Sequence, residues 1–269
     1  MHDDLQVFTL TDRQALAKKL GPDPTGAAYL LADLEDPYFE HTRWFGAGRD
    51  PGGELVSIVL LYSALKDPAM LPYGEARGVG RILIEKARQI PDRVLGMIWP
   101  DQMEEMARFF DNPSGRSMIR MGLSKDSFIP CPGPDKAEAL TWGDLGELTA
   151  LMAHYPGNYF EPAMFREKLY YGVRLDGRLV SAGGIHTYSP TYGVAAIGNI
   201  VTHGSYRRRG LALSCTSTLV KALLEEEKVN HVALNVEAGN KAAISCYERL
   251  GFFHFREYIE GVFVKKDFS

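Results

Sequence analysis

Cysteine is scarce in this chain. Cys131, Cys215 and Cys246 are odd in number and widely spaced, so neither a disulfide framework nor a Cys-based zinc site fits them. They read as reduced structural thiols in a cytosolic protein. Basic charge is not concentrated either. The formal net charge is −4, and no run of Lys or Arg is longer than Arg207–Arg209. A nucleic-acid binder would present a basic stripe, so no nucleic-acid partner is expected. No window approaches the run of about 18 apolar residues that a membrane helix needs. Met1–Leu10 carries His2, Asp3 and Asp4 in place of a cationic start, so no targeting signal is expected and the expected compartment is the cytoplasm. No His-x-x-x-His pair with a third ligand occurs, and no metal site is expected.

What remains is the composition of a soluble globular protein, 45% apolar and 24% charged over 269 residues, enough for two domains of ordinary size. The seam is Phe128–Asp135, reading FIPCPGPD, whose prolines and glycine resist both helix and central strand. It divides the chain into 1–127, a linker 128–135, and 136–269.

The second half alternates strands and helices. Strands are expected at Ala137–Thr141, Tyr170–Leu175, Leu179–Tyr188, Val194–Thr202 and His231–Val236, with Phe253–Tyr258 and Val262–Lys266 as two closing strands. Asp176-Gly177 is a hairpin signal. Helices are expected at Trp142–His154, from Pro162 to Leu169, at Leu211–Glu227, and at Lys241–Leu250, where Gly251 stops the chain. The first half is harder to read. Asp12–Leu20, Thr25–Leu34, Val79–Arg88 and Met103–Phe110 have helical spacing, and Leu55–Tyr62, Leu95–Trp99 and Met118–Leu123 are β-like. Its element order loosely parallels the second half, which suggests an internal duplication. The fold class expected is α+β, each half a mixed, mostly antiparallel sheet flanked by helices.

Two segments carry chemistry. The apolar strand Val194–Thr202 runs into Arg207-Arg208-Arg209-Gly210-Leu211-Ala212, where a helix begins. Phosphates bind where several backbone N–H groups converge at a helix N-terminus. Gly210 lets a ligand approach the backbone, and the arginines add positive charge. Taken alone, this is equally a surface turn with solvated arginines. In the second segment, Asn240 can cap a helix on which Ala243 and Tyr247, four apart, share a face. A helical tyrosine is more commonly a core aromatic with a satisfied hydroxyl.

The pair of motifs, R-x-x-G-x-A after a strand and then N-x-x-A-x-x-x-Y-x-x-x-G-F, resembles the GNAT superfamily of N-acetyltransferases over about Lys136–Lys266. The two-part layout is similar to tandem GNAT chains, including the glycine N-acyltransferase type, in which the C-terminal copy keeps the cofactor motif. The resemblance implies two GNAT-like domains, acetyl-CoA or another short acyl-CoA as cosubstrate, and transfer to a primary amine of a small molecule or peptide. It implies that Ile200, Val201 and Thr202 pair with the pantetheine arm, that Arg207, Arg208, Arg209, Gly210, Leu211 and Ala212 hold the pyrophosphate, and that Asn240 and Ala243 line the coenzyme. It makes Tyr247 the acid that protonates the departing thiolate.

Many relatives place a carboxylate on the strand before the pyrophosphate loop, whereas here Asn199 stands there. Asn199 can orient an amine or a water but takes no proton. Glu237 is the first substitute base, followed by His186 and His203, with a water or an already neutral amine as further routes. The first half is expected to hold no second coenzyme site. Gly78-Val79-Gly80 is a helix start or an eroded copy of the phosphate loop. Specificity for the acceptor is expected from loops such as Ala153–Pro162 and from the first half of the chain. A homodimer is compatible with the sequence. Two other functions fit it as well: an acyl-CoA sensor without transfer, and an interaction protein that uses its first half.

Overall fold

The computed structural model of the protein describes residues 5–50, 54–112, 114–131, 133, 135–155, 160–167 and 169–267. The first half runs β1 (Gln6–Leu10), α1 (Arg13–Leu20), α2 (Ala28–Ala32), β2 (Thr42–Gly48), β3 (Leu55–Tyr62), β4 (Ala69–Gly74), α3 (Ala76–Glu85), β5 (Arg93–Ile98), α4 (Met103–Phe109), a two-residue β6 (Phe110–Asp111) and β7 (Arg116–Ser124). The second runs β8 (Glu138–Ala139), α5 (Leu145–Met152), α6 (Pro162–Glu167), β9 (Tyr170–Leu175), β10 (Arg178–Ser189), β11 (Val194–Thr202), α7 (Leu211–Glu225), β12 (His231–Glu237), α8 (Lys241–Glu248) and β13 (Phe253–Lys265). Apart from β6, the two halves repeat one order of elements. In each half, one strand pair is parallel, β4 with β5 and β11 with β12, and a helix makes the crossover between its members. All other pairings are antiparallel, so the fold is α+β, as the sequence suggests.

The strands join in one sheet in the order β1-β2-β3-β4-β5-β13-β7-β12-β11-β10-β9-β8, with β6 beside β13. The halves exchange strands at the centre. β7, from the first half, lies between β12 and β13 of the second, and β13 pairs with β5 of the first. This explains one departure from expectation. Phe253–Lys265 is a single strand rather than two, because its early residues pair with β7 and its later ones with β5.

Alternation along the strands feeds cores on both faces. Trp44, Ile58 and Leu60 pack with α1 and α2, while Phe45, Val59 and Leu61 pack with α3 and α4. In the second half, Leu219, Val220, Leu223 and Leu224 of α7 bury against Leu234, Val236 and Leu250. At a conservative 25 cal/mol per Å², burying each such leucine stabilises by about 2 kcal/mol.

Several local expectations shift. The hairpin at Asp176-Gly177 forms with both residues left-handed (φ 50° and 74°), as a type I′ turn requires. The helix expected at Trp142–His154 starts as a 3₁₀ turn over Trp142–Asp144, where Asp144 accepts from the Thr141 amide, and becomes α-helical at Leu145. The helix expected over Val79–Arg88 begins earlier, at Ala76, and a strand does lead into it: β4, which the sequence obscured with Pro72. Residues 132 and 134 of the linker, and 156–159 of the segment expected to choose the acceptor, lie outside the described residues.

Candidate active site

The site begins where two parallel strands separate. β11 and β12 pair from Val194↔His231 to Ile197↔Leu234 and no further. β12 continues against β7, while Gly198, Val201 and Thr202 of β11 pair with β10 on the other side. From Gly198 onward β11 therefore has no strand beside it on the β12 side, and a wedge opens. Asn199 stands at the fork in the left-handed region, with φ 51°. That conformation is costly for a side-chain-bearing residue, and Asn is among the few that tolerate it. The residue is 4% exposed. Nδ2 donates to the Tyr170 hydroxyl at 3.0 Å, whereas Oδ1 is buried without a hydrogen-bond partner. Burial pushes the Tyr170 phenol up to about 12, so it stays neutral. A buried amide oxygen lacking a donor costs about 1–3 kcal/mol, a cost that a ligand N–H reaching it would offset.

Beyond the fork, β11 is braced from outside. The Ser181 hydroxyl donates to the Val201 carbonyl at 2.8 Å, and the Tyr155 hydroxyl donates to the Thr202 carbonyl. Arg207 donates to the Tyr155 hydroxyl at 3.0 Å and lies over its ring. Two of the three stretches expected to pair with pantetheine thus carry side-chain bonds on their carbonyls, and Ile200 remains as the neighbour of the wedge. Tyr155 and Tyr170 escaped the sequence reading, since a tyrosine in a loop and one at a strand start carry no signal of such bracing.

The loop after β11 makes a short 3₁₀ turn over Gly204–Tyr206, with the His203 Nδ1 accepting from the Ser205 amide at 3.3 Å. Arg208 and Gly210 are both left-handed (φ 63° and 77°), and α7 starts at Leu211. The extended Arg207 is followed by left-handed Arg208 and Gly210, which lead the backbone into a helix N-terminus, where free N–H groups suit an anion. No side chain caps α7, because its N-cap residue is glycine. Arg207, Arg208 and Arg209 are exposed around this rim, with Arg209 stacked on Tyr206. Leu211 is 1% exposed, so its side chain anchors the helix and only its amide is available to a ligand. Ala212 keeps the first turn small.

The second motif faces the wedge from α8. Asn240 caps the helix, its Oδ1 accepting from the Ala243 amide at 3.2 Å. Tyr247 belongs to the same large core cluster as Ile197, Ile200 and Ala243. Its ring lies edge-on to Phe252 with centroids 6.0 Å apart. No hydrogen bond ties its hydroxyl to another described residue, unlike an ordinary satisfied core tyrosine. Burial, followed by the nearby Cys246, raises its pKa well above the usual phenol value, so it holds its proton throughout the neutral range.

Glu237 is placed apart from this group. It ends β12, is exposed, and forms an ion pair with Arg116 at 2.9 Å; Arg116 also binds Glu260 at 3.0 Å. Of the two histidines, His186 lies closer to the fork, its imidazole flat against Gly198, where an added Cβ would come within 2.3 Å of it. His203 sits in the loop against His154, ring centroids 5.0 Å apart. Among the described residues, no cluster of three or more His, Cys, Asp or Glu could hold a metal ion. No helix of the described residues is long and apolar enough to cross a membrane.

Residues 140–252 match the model of the Acetyltransferase (GNAT) family. No curated protein matches the chain. Solved structures share its fold over essentially full length. A GCN5-related N-acetyltransferase from Sphaerobacter thermophilus is 17% identical with a TM-score of 0.63, covering 100% of this chain and 98% of its own. A tandem GNAT protein from the clavulanic acid biosynthesis pathway is 16% identical with a TM-score of 0.59, covering 98% and 99%. A Drosophila protein is 14% identical with a TM-score of 0.67, covering 95% and 98%.

Proposed function

We propose, from the match of residues 140–252 to the acetyltransferase (GNAT) family model and the fold that the whole chain shares with a tandem GNAT protein, that the chain transfers an acetyl or other short acyl group from acyl-CoA to a primary amine of a small molecule or peptide. The observation that carries this reading is the wedge between β11 and β12, opening at Asn199 and continuing into an uncapped helix N-terminus. An extended arm can lie along β11 as a further strand, and a pyrophosphate can rest on the amides from Arg208 to Ala212. Residues 1–127 and 136–269 are read as two GNAT units that trade their last strands, with one coenzyme site, in the second.

In the reaction proposed, the amine nitrogen attacks the thioester carbonyl directly. The tetrahedral intermediate collapses with cleavage of the C–S bond, and the Tyr247 hydroxyl gives its proton to the leaving sulfur. The proton lost by the nitrogen returns to the tyrosine oxygen by way of solvent. Asn199 Oδ1 accepts an N–H of the incoming amine. Glu237 is the weaker assignment for a base because Arg116 engages its carboxylate. His186 remains beside the fork as a proton acceptor, and an amine arriving neutral needs neither. The cytoplasm is the expected compartment for a chain whose three cysteines are all free.

A second reading, acyl-CoA binding without transfer, is favoured by one feature: Asn199 stands on the strand where many relatives place a carboxylate. Calorimetry with acetyl-CoA, followed by thiol release over polyamines, amino acids, aminoglycosides and peptide N-termini, separates the two. Saturation at one equivalent per chain with thiol release on at least one amine is the result expected. Binding without release on any of them would support the sensor, and no binding at all would overturn both readings.

A further inference from the structure

Tyr155 joins two parts of the candidate site that are distant in sequence. It follows α5, its amide donating to the Met152 carbonyl at 2.8 Å, and its body packs against the cluster of Leu148, Leu151, Met152 and Val201. The same cluster holds Tyr170, the partner of Asn199. The Tyr155 hydroxyl is used twice. Its hydrogen goes to the Thr202 carbonyl at the end of β11, and its oxygen accepts from Arg207 Nη2 at 3.0 Å. One oxygen thus spans the turn at Gly204–Tyr206 and ties residue 202 to residue 207. A second contact lies beside it, where His154 meets His203 edge-on with ring centroids 5.0 Å apart.

This pin orders the arginine without neutralising it. The hydroxyl is uncharged, and the guanidinium also lies over the Tyr155 ring, 5.5 Å from its centroid. Arginines elsewhere on the surface find carboxylates, as Arg77 does with Glu75, Arg93 with Asp67 and Arg256 with Asp101. Among the described residues, Arg207, Arg208 and Arg209 pair with none; Arg207 is held by Tyr155 and Arg209 lies over Tyr206. A carboxylate partner would have to be displaced before a phosphate could bind. A phenol holds the guanidinium in place and leaves its charge and its other N–H groups to the ligand. A long side chain ordered beforehand also avoids the loss of freedom that weakens binding when ordering happens on contact.

We propose that Tyr155 is a positioning residue for acyl-CoA, pinning Thr202 and Arg207 so that the end of β11 and the start of the phosphate loop are set before the coenzyme arrives. That role rests on the reading of this loop as the pyrophosphate site. Tyr155 acts through Arg207 and Thr202, so its loss weakens coenzyme binding and leaves the acyl-transfer step alone.

The test is calorimetry on the full chain with acetyl-CoA. Tyr155→Phe keeps the ring and removes only the hydroxyl. Acetyl-CoA affinity should fall at least about fivefold, the worth of one hydrogen bond, while the thermal melt stays cooperative. Arg207→Met, a change to an exposed side chain, should weaken binding as well. In that background Tyr155→Phe should weaken binding at least about threefold less than it does in the parent, because the guanidinium it positions is gone. On an amine that releases thiol, the loss should appear as a raised KM for acetyl-CoA with kcat changed by less than about twofold, a split that general loosening of the fold does not give. Equal affinity in Tyr155→Phe and the parent, additive losses in the double variant, or a fall in kcat in place of the rise in KM would each overturn the pin and leave the site itself standing. A parent that binds no acetyl-CoA would overturn both.

Discussion

Tyr247 is the acid proposed for the departing thiolate, and burial keeps its hydroxyl protonated at neutral pH. Tyr247→Phe retains the ring that packs near Ile197 and Phe252 and removes only the acid. We expect kcat to fall about 10²-fold, the low end for general acid catalysis, with coenzyme affinity nearly unchanged. The raised pKa adds a second expectation. A phenol raised above its ordinary 10.0 is still protonated there, so the alkaline side of the kcat profile should not bend at that pH. A variant as active as the parent would reduce Tyr247 to packing. Asn199 joins two roles that can be separated. Asn199→Gly keeps the left-handed backbone at no steric cost and deletes the carboxamide. The acceptor KM should then rise about five- to tenfold, the worth of one hydrogen bond, while acetyl-CoA affinity holds. A loss in coenzyme affinity instead would mean that the side chain serves the cosubstrate.

At the scale of elements, the loop proposed to hold the pyrophosphate is defined by backbone shape more than by charge. Gly210 is left-handed at 77°, a conformation that costs a β-branched residue about 1–2 kcal/mol or more. Gly210→Val should abolish acetyl-CoA binding in calorimetry while the thermal melt stays cooperative; unchanged affinity would remove the pyrophosphate from this loop. Much of this element was legible in sequence, since Gly210, the arginines and the capping Asn240 are local signals with local causes. The fork at Asn199 was not, because no neighbouring residue announces that an asparagine will turn left-handed. The strands β2 and β4 were hidden for a related reason: Thr42–Gly48 contains two glycines and Ala69–Gly74 a proline. Pro72 is tolerated because it lies past the last residue of β4 that pairs with β5.

At the scale of the whole molecule, the strand exchange is what sequence could not reveal. β7 and β13 are each apolar enough to pair with either half, and only the assembled sheet shows which neighbours they take. The exchange predicts interdependence. Residues 1–127 expressed alone leave β5 without β13, and residues 136–269 alone leave β12 without β7, exposing long unpaired strand edges. Each half should be unfolded or aggregated by circular dichroism and size-exclusion chromatography, and a folded species should appear when both are co-expressed. Either half folding alone as a monomer would contradict this.

The position of β13 also bears on biosynthesis. It is the last strand in chain order among the described residues, yet it sits near the middle of the sheet, flanked by two strands of the first half. A ribosome delivers the first half early, with β5 and β7 apart and the space between them waiting. The sheet closes only when the final strand has emerged, so the nascent chain spends most of translation with open edges at its centre. Chaperone dependence during synthesis, and high sensitivity to mutations within Phe253–Lys265, follow from that late insertion.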